Sequence, residues 1–151
     1  MKELNIIKKL NKIEELLNDI KTVYLKSTLI FISDIADRYS ILLLKSRRTN
    51  ENLENEIELY KNIIHQYGDG VNYFIDDLYN VNSKIWDLEY DIRRGKENEL
   101  GLDEVGKRAI EIRDLNKQRI AIKNRMVDFY NEGFHDIKIN HASSDKLTVG
   151  E

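Results

Sequence analysis

Three features of this sequence predict an all-α fold, a helical bundle of about five helices led by an N-terminal heptad helix. The 151 residues include no proline, a residue that breaks helical ladders and that turn-rich β folds use repeatedly. Apolar residues recur at helical spacing in one segment after another. Charged residues make up 34% of the chain and apolar residues 41%, too apolar a mixture for disorder and one that suits amphipathic helices. The length is that of one domain with a real core.

Residues 3–26 form the first predicted helix. Ile6, Leu10, Ile13, Leu17, Ile20 and Tyr24 are separated alternately by four and three positions, which is a heptad seam with Lys and Glu on the remaining faces. Such a seam serves either packing on the helix's own domain or an oligomerising coiled coil. A second helix runs from about Leu29 to Arg48, with Ile32, Ile35, Tyr39 and Leu42 on its apolar line. Asn50 is placed to cap a third, which carries Leu53, Ile57, Tyr60 and Ile64 on one face and ends at Gly68-Asp69-Gly70.

The fourth helix, Asn72 to Arg94, has an apolar seam of Val71, Phe74, Leu78, Val81, Ile85, Leu88 and Ile92. Beside that seam lie Asn82, Trp86, Glu89 and Arg93, with Trp86 expected to be largely buried. A charged loop follows from Gly95 to Gly101. Asp103 is the expected N-cap of a fifth helix that reaches Asn131, with Val105, Ala109, Ile112, Leu115, Ile122, Met126 and Phe129 along its line. Asn116, Arg119 and Lys123 sit next to that line, and Gly133 stops the helix. A short extended piece is expected at His135–Asn140. The predicted organisation is therefore a heptad helix at 1–27, a helical-bundle domain at 28–140 and a flexible tail at 141–151.

The absence of cysteine excludes disulfides, zinc-thiolate sites and thiol nucleophiles. Met1-Lys2-Glu3-Leu4 is charged where a leader peptide would be apolar, and no apolar run approaches the length of a membrane span. These features predict a cytoplasmic protein without a membrane partner. A net charge of −3 gives no reason to expect nucleic acid. Glycine-rich phosphate loops, nucleophile elbows and H-E-x-x-H are all missing, and no cofactor is expected.

Three predicted helices carry polar groups on or beside their apolar faces: Asp34, Asp37, Arg38 and Lys45 on the second, Asn82, Glu89 and Arg93 on the fourth, and Asn116, Arg119 and Lys123 on the fifth. Buried charge is costly unless paired, so converging faces of this kind need one another or a ligand. One reading is an internal ion-pair network, for example Glu89 with Arg119 and Asp37 with Lys123. A second is a pocket for an anion, with guanidinium and ammonium groups holding phosphate, Asn reading a base or sugar, and Trp86 or Tyr79 stacking on a ring. A third is a magnesium site built from Asp34, Asp37 and Glu89, or from Glu111 with Asp114. Two further groups are weaker: His135, Asp136 and His141 as a metal clip, and Glu51, Glu54, Glu56 and Glu58 as the acidic helix of an all-α nucleotide pyrophosphohydrolase. Both read more simply as solvated surface.

Two segments, DIADRYSILLLK (Asp34–Lys45) and VNSKIWDLEYDIR (Val81–Arg93), together with RDLNKQRIAIK (Arg113–Lys123), resemble a family of small, functionally uncharacterised all-helical proteins. Its members occur near bacterial envelope-polysaccharide genes and in phages. The resemblance covers about residues 28–140 and omits the heptad helix. It implies that Asp37, Arg38, Lys45, Asn82, Trp86, Glu89, Arg93, Asn116, Arg119 and Lys123 form the family's polar cluster. Tyr90 stands where the family usually has an acid, which argues against a carboxylate-pair or metal site. The expected function is binding of a small anionic ligand, nucleotide-derived or sugar-phosphate, with sequestration of a nucleotide signal as one form of it, by a homo-oligomer. The alternatives are a magnesium-dependent nucleotide pyrophosphohydrolase and a structural adaptor with no ligand. Arg119, Lys123 and Arg38 are expected to face one cavity with Asn82, Glu89 and Asn116.

Overall fold

Proline-free segments with one apolar stripe each have a single economical solution, helices packed stripe to stripe. A computed structural model of the chain, which describes residues 1–28 and 31–136, has six helices and no strand among them. They are α1 (Lys2–Thr28), α2 (Ile32–Arg48), α3 (Glu54–His65), α4 (Val71–Arg93), α5 (Glu97–Leu100) and α6 (Leu102–Tyr130). The single-turn α5 lies within the loop expected at 95–101. The tail at 141–151, His141 and most of the extended piece expected at 135–140 lie outside the described residues.

The body is built from α2, α4 and α6, each packed on the other two. Asp34–Lys123 and Asp37–Arg119 contacts make α2 and α6 antiparallel. Arg125–Asp77 and Arg108–Asp91 do the same for α6 and α4. Helices α2 and α4 therefore run parallel, and α3, packed on α2, is the return between them. Ile32, Ile35, Leu44, Ile63, Leu78 and Met126 are essentially sealed, and each contributes about 1.5–3 kcal/mol of burial.

Most expected apolar lines hold. All four residues named on α2 are buried, and on α3 Tyr60 and Ile64 are joined by Ile63. On α4 the buried stripe leans toward Ile75 and Asn82, away from Phe74, Leu88 and Ile92, which are only partly covered. On α6 burial begins at Leu115, and Phe129 is exposed while its neighbour Val127 is covered. The helix starts differ from expectation as well. Asn50 does not cap α3, although Asn52 Oδ1 accepts from the Glu54 N–H (3.3 Å). Asp103 lies inside the first turn of α6, whose N-cap is Gly101.

The chain beyond α6 folds back onto the start of α2. Asn131 is left-handed (φ 47°) and Gly133 has φ 97°. Glu132 accepts from the Ile32 N–H (2.9 Å) and from the Tyr67 hydroxyl (2.9 Å), which caps a helix whose own N-cap residue, Phe31, has no polar side chain. Asn124 exchanges two hydrogen bonds with the backbone of Asp136 (3.2 and 2.8 Å). Phe134 meets Phe31 edge to face at 5.7 Å.

Candidate functional site

Asp37 falls on the inner face of α2 between Ile35 and Ser40, so the helix carries its carboxylate into the packed interior, where it is 5% exposed. A buried carboxylate must be paired. Arg119 supplies the partner from α6 as a two-pronged contact, Nε to Oδ1 at 3.0 Å and Nη2 to Oδ2 at 2.8 Å. Asn82 on α4 donates from Nδ2 to Asp37 Oδ1 (3.0 Å) and to Ser40 Oγ (2.8 Å). Ser40 Oγ in turn donates to the Asp37 carbonyl (2.7 Å), and Arg119 Nη1 donates to Asn116 Oδ1 (3.2 Å). The network thus joins all three central helices, with every member bonded.

On the outer side of this network lies a cleft of about 420 Å³. Its apolar wall is Ile41, Leu44 and Ile85, with Trp86 and Tyr90 as aromatic surfaces. Its polar lining is Lys45, Asn82, Glu89, Arg93, Arg94, Asn116 and Arg119. Glu89 pairs with Arg93 one turn on. Arg94 sits 5.1 Å over the Tyr90 ring and donates to its hydroxyl (2.5 Å). Lys45 has no carboxylate partner among the described residues. Four cations against Glu89 and the Asp37 behind Arg119 leave the cleft with a surplus of positive charge, on a chain whose net charge is −3.

Of the ten residues expected at one site, Lys45, Asn82, Trp86, Glu89, Arg93, Asn116 and Arg119 line this cleft. Asp37 lies behind it. Arg38 and Lys123 do not join them, which corrects the expectation of a shared cavity. Arg38 follows Asp37 by one position, so the helix turns it to the exposed side, beside the Tyr60 hydroxyl. Lys123 is one turn beyond Arg119 and reaches Asp34 (2.9 Å) and Asp136 (2.7 Å) instead. Burial alone would lower its pKa, but hydrogen bonds to the two carboxylates outweigh that effect and hold it raised.

The expected ion pairs also exchange partners. Arg119 takes Asp37 and Glu89 takes Arg93, rather than Glu89 with Arg119 and Asp37 with Lys123. Trp86 is half-buried rather than largely buried, because one side of it faces the cleft. Arg48 stands 5.9 Å over its ring.

Ser40 and Arg94 were missed by sequence reasoning. Ser40 is one turn from Asp37 on the same face, a spacing that could have found it. Arg94 lies just past the end of α4, where helical stripes give no guidance. Among the described residues no three of His, Cys, Asp and Glu converge closely enough to hold a metal ion. His135 bonds Asp128 (2.6 Å) and Asp136 bonds Lys123. Glu54, Glu56 and Glu58 lie exposed on α3. Among the described residues no helix is long and apolar enough to cross a membrane. Comparison with known protein families, with curated proteins and with solved structures found no match to this chain.

Proposed function

We propose that the cleft between α2, α4 and α6 binds a small organic anion with a flat or apolar part, of the nucleotide-derived or sugar-phosphate class. The observation that carries this reading is the pairing of an aromatic and aliphatic wall with a surplus of cations in one concave site. Arg119 is committed to the buried Asp37, so Lys45 and Arg94 are the groups available to a phosphate, with Arg93 joining them where a ligand draws it from its pair with Glu89. Trp86 offers a face to a ring. Glu89 is a ready acceptor for sugar hydroxyls, and Asn116, whose oxygen is held by Arg119, keeps its amide hydrogens for the ligand. Sequestration of such a molecule needs no catalytic group.

A thermal-shift panel of nucleotides, nucleotide sugars and sugar phosphates, with native mass spectrometry of protein taken directly from cells, tests the reading. At least one panel member should raise the melting temperature, and the double change Lys45→Ala with Arg94→Ala should remove the shift while the unliganded melting temperature stays as it was. No shift across the panel and no retained molecule would leave the cleft without a ligand and favour the adaptor. Turnover of a nucleotide with magnesium would replace binding by hydrolysis.

A further inference from the structure

From Ile6 to Ile20 the heptad seam of α1 is exposed among the described residues. Ile6, Ile7, Leu10, Ile13, Leu16, Leu17, Ile20 and Val23 are 49–68% exposed, although the helix meets α3. A helix whose apolar seam is exposed over residues 6–23 is marginal in water, because most helical stability in proteins comes from packing an amphipathic side. The polar side of α1 mixes Lys8, Lys12, Glu15 and Asp19, unlike the basic face of a helix that lies on an anionic membrane.

The seam itself specifies its partner. Leu10 and Leu17 occupy the first core position of successive heptads, with Tyr24 next in line, and Ile6, Ile13 and Ile20 occupy the second. Leucine at the first position with isoleucine at the second disfavours two strands and favours higher assemblies. The flanking positions agree. Ile7, Leu16 and Val23 fill places that a two-stranded coil leaves wet and a four-stranded coil covers. Between parallel chains in register, Lys9 on one flank meets Glu14 on the facing flank of the neighbour, an attractive pair.

We infer that α1 joins four copies of this chain into a parallel coiled coil, with each helical body and its cleft carried outside the coil. The inference is independent of what the cleft binds. Sedimentation equilibrium of the full chain at micromolar concentration should give four times the chain mass of 17.9 kDa; any other stoichiometry overturns it. Ile13→Asp with Leu17→Asp should yield a monomer whose Trp86 fluorescence and body melting are unchanged. Lys9→Glu should raise the concentration at which the assembly dissociates, and adding Glu14→Lys should restore it. Because the chain has no cysteine, Glu3→Cys reports orientation: parallel helices give disulfide-linked dimers on mild oxidation, and a tetramer that fails to crosslink overturns the parallel arrangement. A monomer that binds anionic vesicles through α1 would overturn the proposal altogether.

Discussion

Asp37 keeps almost no water contact, so removing Arg119 would leave a carboxylate buried without its cation. Arg119→Ala should therefore destabilise the unliganded protein by roughly 3 kcal/mol, near the lower end for a broken buried pair because the arginine itself is one-third exposed. Urea titration measures it, and a loss under 1 kcal/mol would show that water or Asn82 suffices to hold the carboxylate. Lys45→Ala, at an exposed position without an ion pair among the described residues, should fall within about ±0.5 kcal/mol of wild type. The contrast separates groups that build the site from groups left free for a ligand. Residue identity in the site was legible in sequence because Asn82, Glu89, Asn116 and Arg119 break apolar faces. The partners were not legible. Helical spacing places a side chain on a face but does not say which of several opposite charges across the interface lies nearest. Hence spacing alone pairs Arg119 with Glu89 and puts Lys123 in a site from which one helical turn separates it.

Between α6 and α2 the decisive element is the short return at 131–136. Gly133 combines φ 97° with a position where an added Cβ would lie 2.9 Å from the Phe31 ring. Gly133→Ala meets both a backbone region that L residues avoid and a steric overlap, and should cost about 1–3 kcal/mol. The same change should loosen the Glu132 cap on Ile32, so amide exchange at the first turn of α2 should speed up more than exchange in α4. Equal acceleration in both helices would mean that the return has no local role. The stop at Gly133 was readable in the sequence, whereas the cap it delivers was not, since it links residues 100 positions apart. The four-three spacing of α1 was equally plain, but spacing alone does not say whether the described body covers the seam, and Ile6, Leu10, Ile13, Leu17 and Ile20 are exposed.

Across the whole molecule the buried titratable groups set one pH limit. Burial raises the phenol pKa of Tyr39, Tyr60, Tyr67 and Tyr130, and the Glu132 carboxylate adds to the effect on Tyr67. Lys123 is also raised, by Asp136 and Asp34 against its own burial. A group with a raised folded-state pKa gives its full stabilisation below its unfolded value and loses it as pH climbs through the folded value. The ordinary values are 10.0 for these tyrosines and 10.5 for the lysine, so all five losses fall in the same alkaline window. The melting temperature should hold level from pH 7 to about 9.5 and drop steadily above about pH 10. Tyr67→Phe should be less stable at neutral pH, because Glu132 loses a donor, and should show a shallower alkaline decline, because one buried phenol no longer ionises. Circular-dichroism melts across the range measure both quantities on one pair of proteins. A wild-type curve that stays flat to about pH 11.5 would mean that the tyrosines ionise as easily folded as unfolded, and that their burial between α2, α3 and α6 is looser than the packing of this core implies.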